Sequence, residues 1–415
     1  MEPMARLPLT EYKRKERVRL TRDQLGALQG MDPSPSIDVR PTPGERTTFD
    51  LTPGSMVGVV RLPDLTIEIA PKVSVQQVIF LISYALGQLH LLPTRVDVGI
   101  ADLVEAMVRL FHDRVHRATH RGLLHGYETR EEALHVVRGR IRIDDQLRRR
   151  FGLAVPIEVS YDEFTPDIPA NQLLKAAVRR LARLPLRSRE SRRLLGAMRA
   201  VFVNVSDIDY RPADTLPDPP LNPLNAHYQP ALGLARLILE STSFELSAGE
   251  VRAASFLIDM NRVFEDFVVV ALREALDLTA GAFPQGAKGR RLRLDSEERV
   301  TLEPDLSWWE NSRCTFVGDT KYKRASGNDA RNADIYQVLA YAVAASLPSA
   351  LLIYAAADDA DDDAGAVYRL VDGRLVEQAV LDLRGDSDQV LNRVRALAAR
   401  VRWHRARSTY AGRAA

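Results

Sequence analysis

The chain has one cysteine, Cys314, in 415 residues. It can therefore form no intramolecular disulfide and no cysteine-based zinc cluster, a usage that fits a reducing compartment. It has no run of about 18 apolar residues, the length a membrane-spanning helix requires. It does not open on a secretory signal, because Met1 to Thr21 carries Lys13, Arg14, Lys15 and Arg17 and has no apolar core. The expectation is a cytoplasmic protein without membrane contact. Net charge is also scarce: 57 Lys and Arg against 55 Asp and Glu leave +2. That is too little to attract a polyanion from a distance, so any nucleic-acid contact must use local patches. There is no P-loop, no glycine-rich dinucleotide fingerprint and no internal repeat.

What is present is a 46% hydrophobic fraction, enough for two or more cored domains. Residues 45 to 71 read as short strands, Met56–Val60 and the alternating Leu65–Ile69, separated by a turn at Pro63-Asp64. Helical spacing of Val75, Val78, Ile79, Ile82 and Leu86 follows, with Ser74 as N-cap. A longer helix runs from Ile100 to about His120, ending at Gly122. Within it His112, His116 and His120 recur at i, i+4, a spacing that can chelate a metal. The interleaved Arg114, Arg117 and Arg121 oppose a cation and favour a solvated face. Strands with a basic helical piece, Arg148–Arg150, occupy 131 to 165. Asp162 and Glu163 lie near a strand end ahead of a helix that begins beyond Pro169 and carries Leu173, Leu174, Ala177, Val178 and Leu181. A basic helix spans Arg189 to Val201.

Pro212, Pro217, Pro219, Pro220, Pro223 and Pro230 then crowd together, and proline at this density sustains neither helix nor central strand. A domain boundary is expected there. It divides an α+β amino-terminal region, 1–215, with one or two subdomains, from an α/β region, 216–415. The second region shows helices over 228–240, 251–276 and 333–346, strands near 299–307, 313–322 and 350–356, and a solvated acidic run at Asp358–Asp363. A hairpin turning at Asp372-Gly373 and a final helix after Ser387 complete it.

Chemistry concentrates at Leu302-Glu303-Pro304-Asp305 and Val317-Gly318-Asp319-Thr320-Lys321. On a strand, Asp319 and Lys321 share one face, and Asp305, across a turn near Glu310-Asn311, brings a second carboxylate to the same end. Two carboxylates and a carbonyl suit an oxygen-ligated Mg2+ that meets a phosphate, with Lys321 placed to orient or activate the attacking water. Glu265 falls in the helical arc of Ile258, Val269, Leu272 and Leu276, so it faces inward and needs a partner. Gln337 and Tyr341 lie one turn apart, Gln337 within reach of the site. Lys288, Arg290, Arg291 and Arg293 before the hairpin, and Lys323 after it, are the local candidates for DNA phosphate contact.

Glu265 on a helix, Pro304-Asp305, Asp319-Thr320-Lys321 and a following Gln337 resemble, in that order, the PD-(D/E)xK nuclease superfamily. The longer stretches Met260–Glu265, Asp319–Lys323 and Asp334–Tyr341 resemble the McrC family, as do Ile67–Val73, Arg121–Leu123, Arg138–Ile141 and Tyr161–Phe164 in the first half. The resemblance implies a restriction-endonuclease-like domain, a central mixed sheet flanked by helices. In it Asp305, Asp319 and Lys321 are catalytic, Glu265 and Gln337 support them, and Asp305, Asp319 and Glu265 bind Mg2+, with Mn2+ as a substitute. It also implies an endonuclease subunit of a modification-dependent restriction system, acting on double-stranded DNA. Its amino-terminal region docks on, and the subunit stimulates, a hexameric AAA+ GTPase of the McrB type. Two alternatives share these residues: a non-catalytic adaptor that stimulates an NTPase, and a RecB-like nuclease acting on DNA ends.

Overall fold

Segment 349–356 shows no polar–apolar alternation, the signature of a strand covered on both faces, and all eight of its residues are buried within a mixed sheet. The computed structural model describes residues 5–29, 37–45, 47–62, 64–87, 103–151, 153–210, 214–219, 222–223, 225–241, 254–285, 290–322, 328–356 and 365–411. They form two compact units, one of residues 1–106 and 244–415, the other of residues 107–243.

The first unit begins with β1 (Ala5–Thr10), β2 (Lys15–Arg19), α1 (Arg22–Gln29), β3 (Ile37–Pro41), β4 (Thr48–Pro53), β5 (Met56–Leu62), β6 (Leu65–Ala70) and α2 (Val75–Ala85). β1 runs parallel to β6, which pairs antiparallel with β5; β2, β4 and β3 make a separate antiparallel sheet. Their apolar faces enclose Leu20, Leu28, Leu51, Val60 and Ile67. Ser74 caps α2 in a complete capping box with Gln77. The division between units falls within α3 (Leu103–Thr119).

The second unit continues with β7 (Gly126–Leu134), β8 (Arg140–Ile141), α4 (Ile143–Arg150), β9 (Ile157–Thr165), α5 (Pro169–Ala182), α6 (Arg189–Val201) and α7 (Gln229–Glu240). The stripe Leu173, Leu174, Ala177, Val178 and Leu181 is buried on α5, as its spacing predicts. The boundary expected near residue 215 is not where the units divide, since the proline-rich stretch lies inside this second unit. Proline forbids regular structure locally, but it does not prevent the next helix from packing: α7 buries Leu232, Leu234, Ile238 and Leu239 and lies against α5.

The chain then returns to the first unit with β10 (Ala254–Asp259), α8 (Met260–Ala275), the short β11 (Leu292–Arg293) and β12 (Thr301–Leu302), β13 (Leu306–Glu310) and β14 (Arg313–Lys321). It ends with α9 (Asn328–Ala344), β15 (Ser349–Ala356), β16 (Val367–Arg369), β17 (Leu375–Asp382) and α10 (Ser387–Ala411). The helix expected over 251–276 is therefore shorter at its start. A brief apolar run fits strand and helix alike, and here the open edge of β5 supplies the ladder, with Ile258 opposite Val57. Gly58 permits that approach, because its φ is +138° and a Cβ there would stand 2.0 Å from the Phe256 carbonyl oxygen.

The second sheet has the order β13-β14-β15-β17-β16, parallel across β14-β15-β17 and antiparallel at both edges. Asn311 and Ser312, both at positive φ, close the β13–β14 hairpin. α8, α9 and α10 pack on this mixed sheet. The β16–β17 hairpin turns at Asp372-Gly373 as its sequence predicts.

Candidate active site

Along β14, Val317 packs with Val338 and Tyr341 of α9, and strand alternation puts Asp319 and Lys321 on that same face. Asp319 has no exposed surface. Its Oδ2 lies 2.5 Å from Lys321 Nζ, yet neither of its oxygens has a well-angled hydrogen bond among the described residues. Asp305 stands immediately before β13, whose first residue, Leu306, pairs with Gly318. Its Oδ2 accepts from the Thr320 amide and hydroxyl, both at 2.9 Å. The hairpin thus brings Asp305 and Asp319 together, as the sequence predicts.

Electrostatics follow from that crowding. Asp319 is pushed up to about 7, first by burial and then by the charge of Asp305, against the opposing pull of Lys321. Glu265, half-buried on α8, is pushed up to about 8 by burial and by Asp305, Asp266 and Asp319. Burial alone would lower Lys321, but the charges of Asp319, Asp305 and Asp334 hold it above the ordinary lysine range. At neutral pH Glu265 therefore keeps its proton and Asp319 stands near its midpoint, while the lysine stays an ammonium. Lys321 donates to Gln337 Oε1 at 3.0 Å, Gln337 Nε2 donates to the Tyr341 oxygen at 2.7 Å, and Tyr341 is buried. The helical spacing of Gln337 and Tyr341 thus produces one chain of hydrogen bonds that ends on Lys321.

Mg2+ takes oxygen ligands and keeps several waters. Two neighbouring aspartates match that chemistry, and a cation would relieve both the burial of the Asp319 charge and its repulsion by Asp305. Among the described residues no three His, Cys, Asp or Glu side chains are disposed to hold a metal ion. The set Asp305, Asp319 and Glu265 is thus not gathered into one cage: Asp305 is turned to Thr320, and Asp319 to Lys321.

The basic candidates are engaged locally. Arg291 pairs with Glu303 at 2.7 Å, Arg293 with Glu298 at 3.7 Å, and the Arg290 guanidinium lies 5.2 Å from the Trp309 ring. All three are exposed beside the β11–β12 ribbon that leads into Glu303-Pro304-Asp305. Lys288, Lys323 and the acidic run at 358–363 lie outside the described residues. On α3 the His112 and His116 rings stack at 6.1 Å, and His120 Nδ1 contacts the Arg117 carbonyl. Asp162 accepts from Thr129, and Glu163 pairs with Arg130, so both serve the β7–β9 ladder. The cysteine is buried and its thiol pushed up to about 12 by that burial.

Sequence reasoning missed Thr320 as the group that holds Asp305. The signal was a hydroxyl between the two catalytic candidates, but alternation alone sends it to the other face. It also missed Glu11, Lys72 and Tyr322, which meet only through the tertiary fold.

The model of a family described as McrBC 5-methylcytosine restriction system component matches residues 51–355. No curated protein matches. Among solved structures, a chain of the refined half-complex from the tetradecameric assembly of Thermococcus gammatolerans McrB AAA+ hexamers with bound McrC is 17% identical, with a TM-score of 0.55, covering 94% of this chain and 99% of that one. That likeness is one of fold. The cryo-EM structure of the Thermococcus gammatolerans McrBC complex also matches, at 20% identity and a TM-score of 0.42, covering 66% of this chain and 88% of that one.

Proposed function

The chain belongs to the McrBC 5-methylcytosine restriction system component family, and from that premise we propose that it is the family's endonuclease subunit. It cuts double-stranded DNA with Mg2+, Mn2+ substituting, and docks on and stimulates an AAA+ GTPase of the McrB type. The observation that carries the reading is the fully buried Asp319, paired with Lys321 and crowded by Asp305 and Glu265. No structural requirement of a sheet explains three acids against one lysine at one strand end.

Asp305 and Asp319 would hold the ion, with the Glu265 carboxyl nearby. Bound there, Mg2+ would supply charge stabilisation at the scissile phosphate and a more acidic water. The protein's own groups do the rest. Thr320 fixes the orientation of Asp305. Lys321 keeps its proton and so is suited to holding a phosphate oxygen or orienting the attacking water, not to removing a proton. Gln337, anchored by Tyr341, aims Lys321. The exposed Arg290, Arg291 and Arg293 offer phosphate contacts on the ribbon beside the site.

Docking has a surface of its own in the second unit. α4 buries none of its residues: Ile143, Leu147 and, just beyond it, Phe151 recur every fourth position and are all exposed, with Tyr127 and Phe164 exposed on the neighbouring strands. Soluble monomers rarely expose such a face without a partner, and the AAA+ hexamer is the partner this family context supplies.

The chain, an McrB-type GTPase, GTP, Mg2+ and methylated DNA should together give cleavage that Asp319→Ala reduces by about 100-fold or more. Undiminished cutting by that variant would sink the assignment. The second reading, a non-catalytic adaptor, is favoured by one observation: the three acids do not form a ready ligand cage. Stimulated GTP hydrolysis without nicking in either Mg2+ or Mn2+ would select it.

A further inference from the structure

Tyr322, the residue after Lys321, points away from the aspartates and is fully buried. Its hydroxyl donates to Glu11 Oε1 at 3.0 Å, just beyond β1. Its carbonyl accepts from Lys72 Nζ at 2.5 Å, just beyond β6, and that ammonium lies 3.9 Å from the Tyr322 ring centroid. The Lys72 amide also donates to Glu11. On its other side the Tyr322 ring lies 5.9 Å from Phe264, the residue before Glu265. One side chain therefore joins the amino-terminal sheet, the end of β14 and the helix that carries Glu265.

Packing alone does not call for this arrangement. Glu11 is 1% exposed, and burial pushes its carboxyl up to about 7 despite Lys72 and Tyr322. Apolar residues of equal volume would often join the two layers as stably as a buried acid and a half-buried ammonium. What polar groups add is direction: a lysine aimed at one carbonyl and a carboxylate aimed at one hydroxyl fix where the strand ends. The same sheet also seats the start of α8. Ser55 donates its hydroxyl to Asp259 Oδ1 at 3.1 Å and accepts from Asn261 at 2.8 Å, and its carbonyl accepts from the Met260 amide at 3.0 Å.

We propose that Lys72 and Glu11 are positioning residues of the nuclease site: through Tyr322 they fix the end of β14, and with it Lys321 and the Thr320 that holds Asp305. The inference rests on the nuclease reading above. It makes the amino-terminal sheet a structural part of the site.

The test uses full-length chain carrying Lys72→Met, Lys72→Arg or Tyr322→Phe. Each variant is assayed for Mn2+ binding by EPR on the chain alone, and with the GTPase partner for cleavage of methylated DNA and stimulated GTP hydrolysis. Lys72→Met should lower kcat for cleavage about tenfold, the loss expected for one charge-assisted contact, with KM for DNA and GTPase stimulation unchanged. It should also weaken Mn2+ binding roughly threefold or more, through the loosened Thr320–Asp305 contact. Lys72→Arg should restore most of both. Wild-type cleavage and Mn2+ affinity in Lys72→Met would overturn the proposal. If Lys72→Met fails to fold, Tyr322→Phe decides: it keeps the carbonyl contact and loses only the bond to Glu11, and unchanged kcat and Mn2+ affinity there would also overturn it. If the wild-type complex does not cleave at all, the nuclease reading falls, and the Mn2+ titrations alone settle whether the two residues position the acids.

Discussion

Thr320 holds Asp305 through two groups at once, its backbone amide and its hydroxyl each 2.9 Å from the same carboxylate oxygen. The amide contact survives replacement of the side chain; the hydroxyl contact does not survive its replacement by an apolar group. Thr320→Val keeps the shape and β-branching of the strand residue and removes a hydrogen bond to a charged group, worth about 1.5–3 kcal/mol. Cleavage by the assembled complex should fall about tenfold, with the melting temperature lowered by about a few degrees. A variant that cuts at the wild-type rate would show that Asp305 needs no such anchor.

Asp319 sets a pH dependence of stability. Its folded-state pKa, about 7, is raised above the ordinary 3.8. The stability it contributes is therefore fully present below about pH 4 and is lost as pH rises through about 7. Asp319→Asn lacks this titration. Relative to that variant, the wild-type chain should lose on the order of 1–3 kcal/mol between about pH 5 and pH 8. Urea unfolding of both proteins at the two pH values measures the difference, and parallel curves would contradict the burial argument.

Protons and a divalent cation compete for the same carboxylates. Because Asp319 and Glu265 hold protons to about 7 and about 8, Mn2+ affinity of the chain alone should climb as pH rises from about 6 to about 8.5 and then level. Titration by EPR across that range is the measurement. A flat profile would mean that these groups do not take part in binding.

Gly318 lies between two neighbouring strands. A Cβ there would meet the Leu351 carbonyl oxygen at 2.7 Å, the Phe316 ring at 3.2 Å and Leu306 at 3.3 Å. The first contact is backbone and cannot swing aside. Gly318→Ala should destabilise by roughly 2–4 kcal/mol and displace Asp319 next to it, lowering both the unfolding midpoint and cleavage. A normal midpoint would show that β14 shifts to make room.

The apolar face of α4 separates docking from chemistry. Leu147→Glu and Phe151→Glu place charge where 62% and 90% of each side chain's residue surface is exposed, so the fold should be unaffected. GTPase stimulation should drop about tenfold or more, as for a central interface residue, while Mn2+ binding stays normal. Full stimulation by both variants would place the docking surface elsewhere.

The sequence by itself determined the local pieces. The N-cap at Ser74, the stripe on α5, a turn near Glu310-Asn311 and the order of Glu265, Asp305, Asp319, Lys321 and Gln337 were all legible from short-range periodicity, turn chemistry and the residues themselves. The face shared by Asp319 and Lys321 follows as well. Four matters were decided only by tertiary structure. Residues 254–259 became a strand because β5 had an open edge, which no feature of that segment announces. The proline-rich stretch lies within one compact unit, where α7 packs on α5. Tyr322 was brought to Lys72 and Glu11 across 250 and 311 residues of chain, and Thr320 was turned onto Asp305 by the hairpin. Periodicity reports which side of an element is buried, but not against what. The protonation of the acids and the ammonium state of Lys321 are properties of that assembled neighbourhood, not of the residues taken singly.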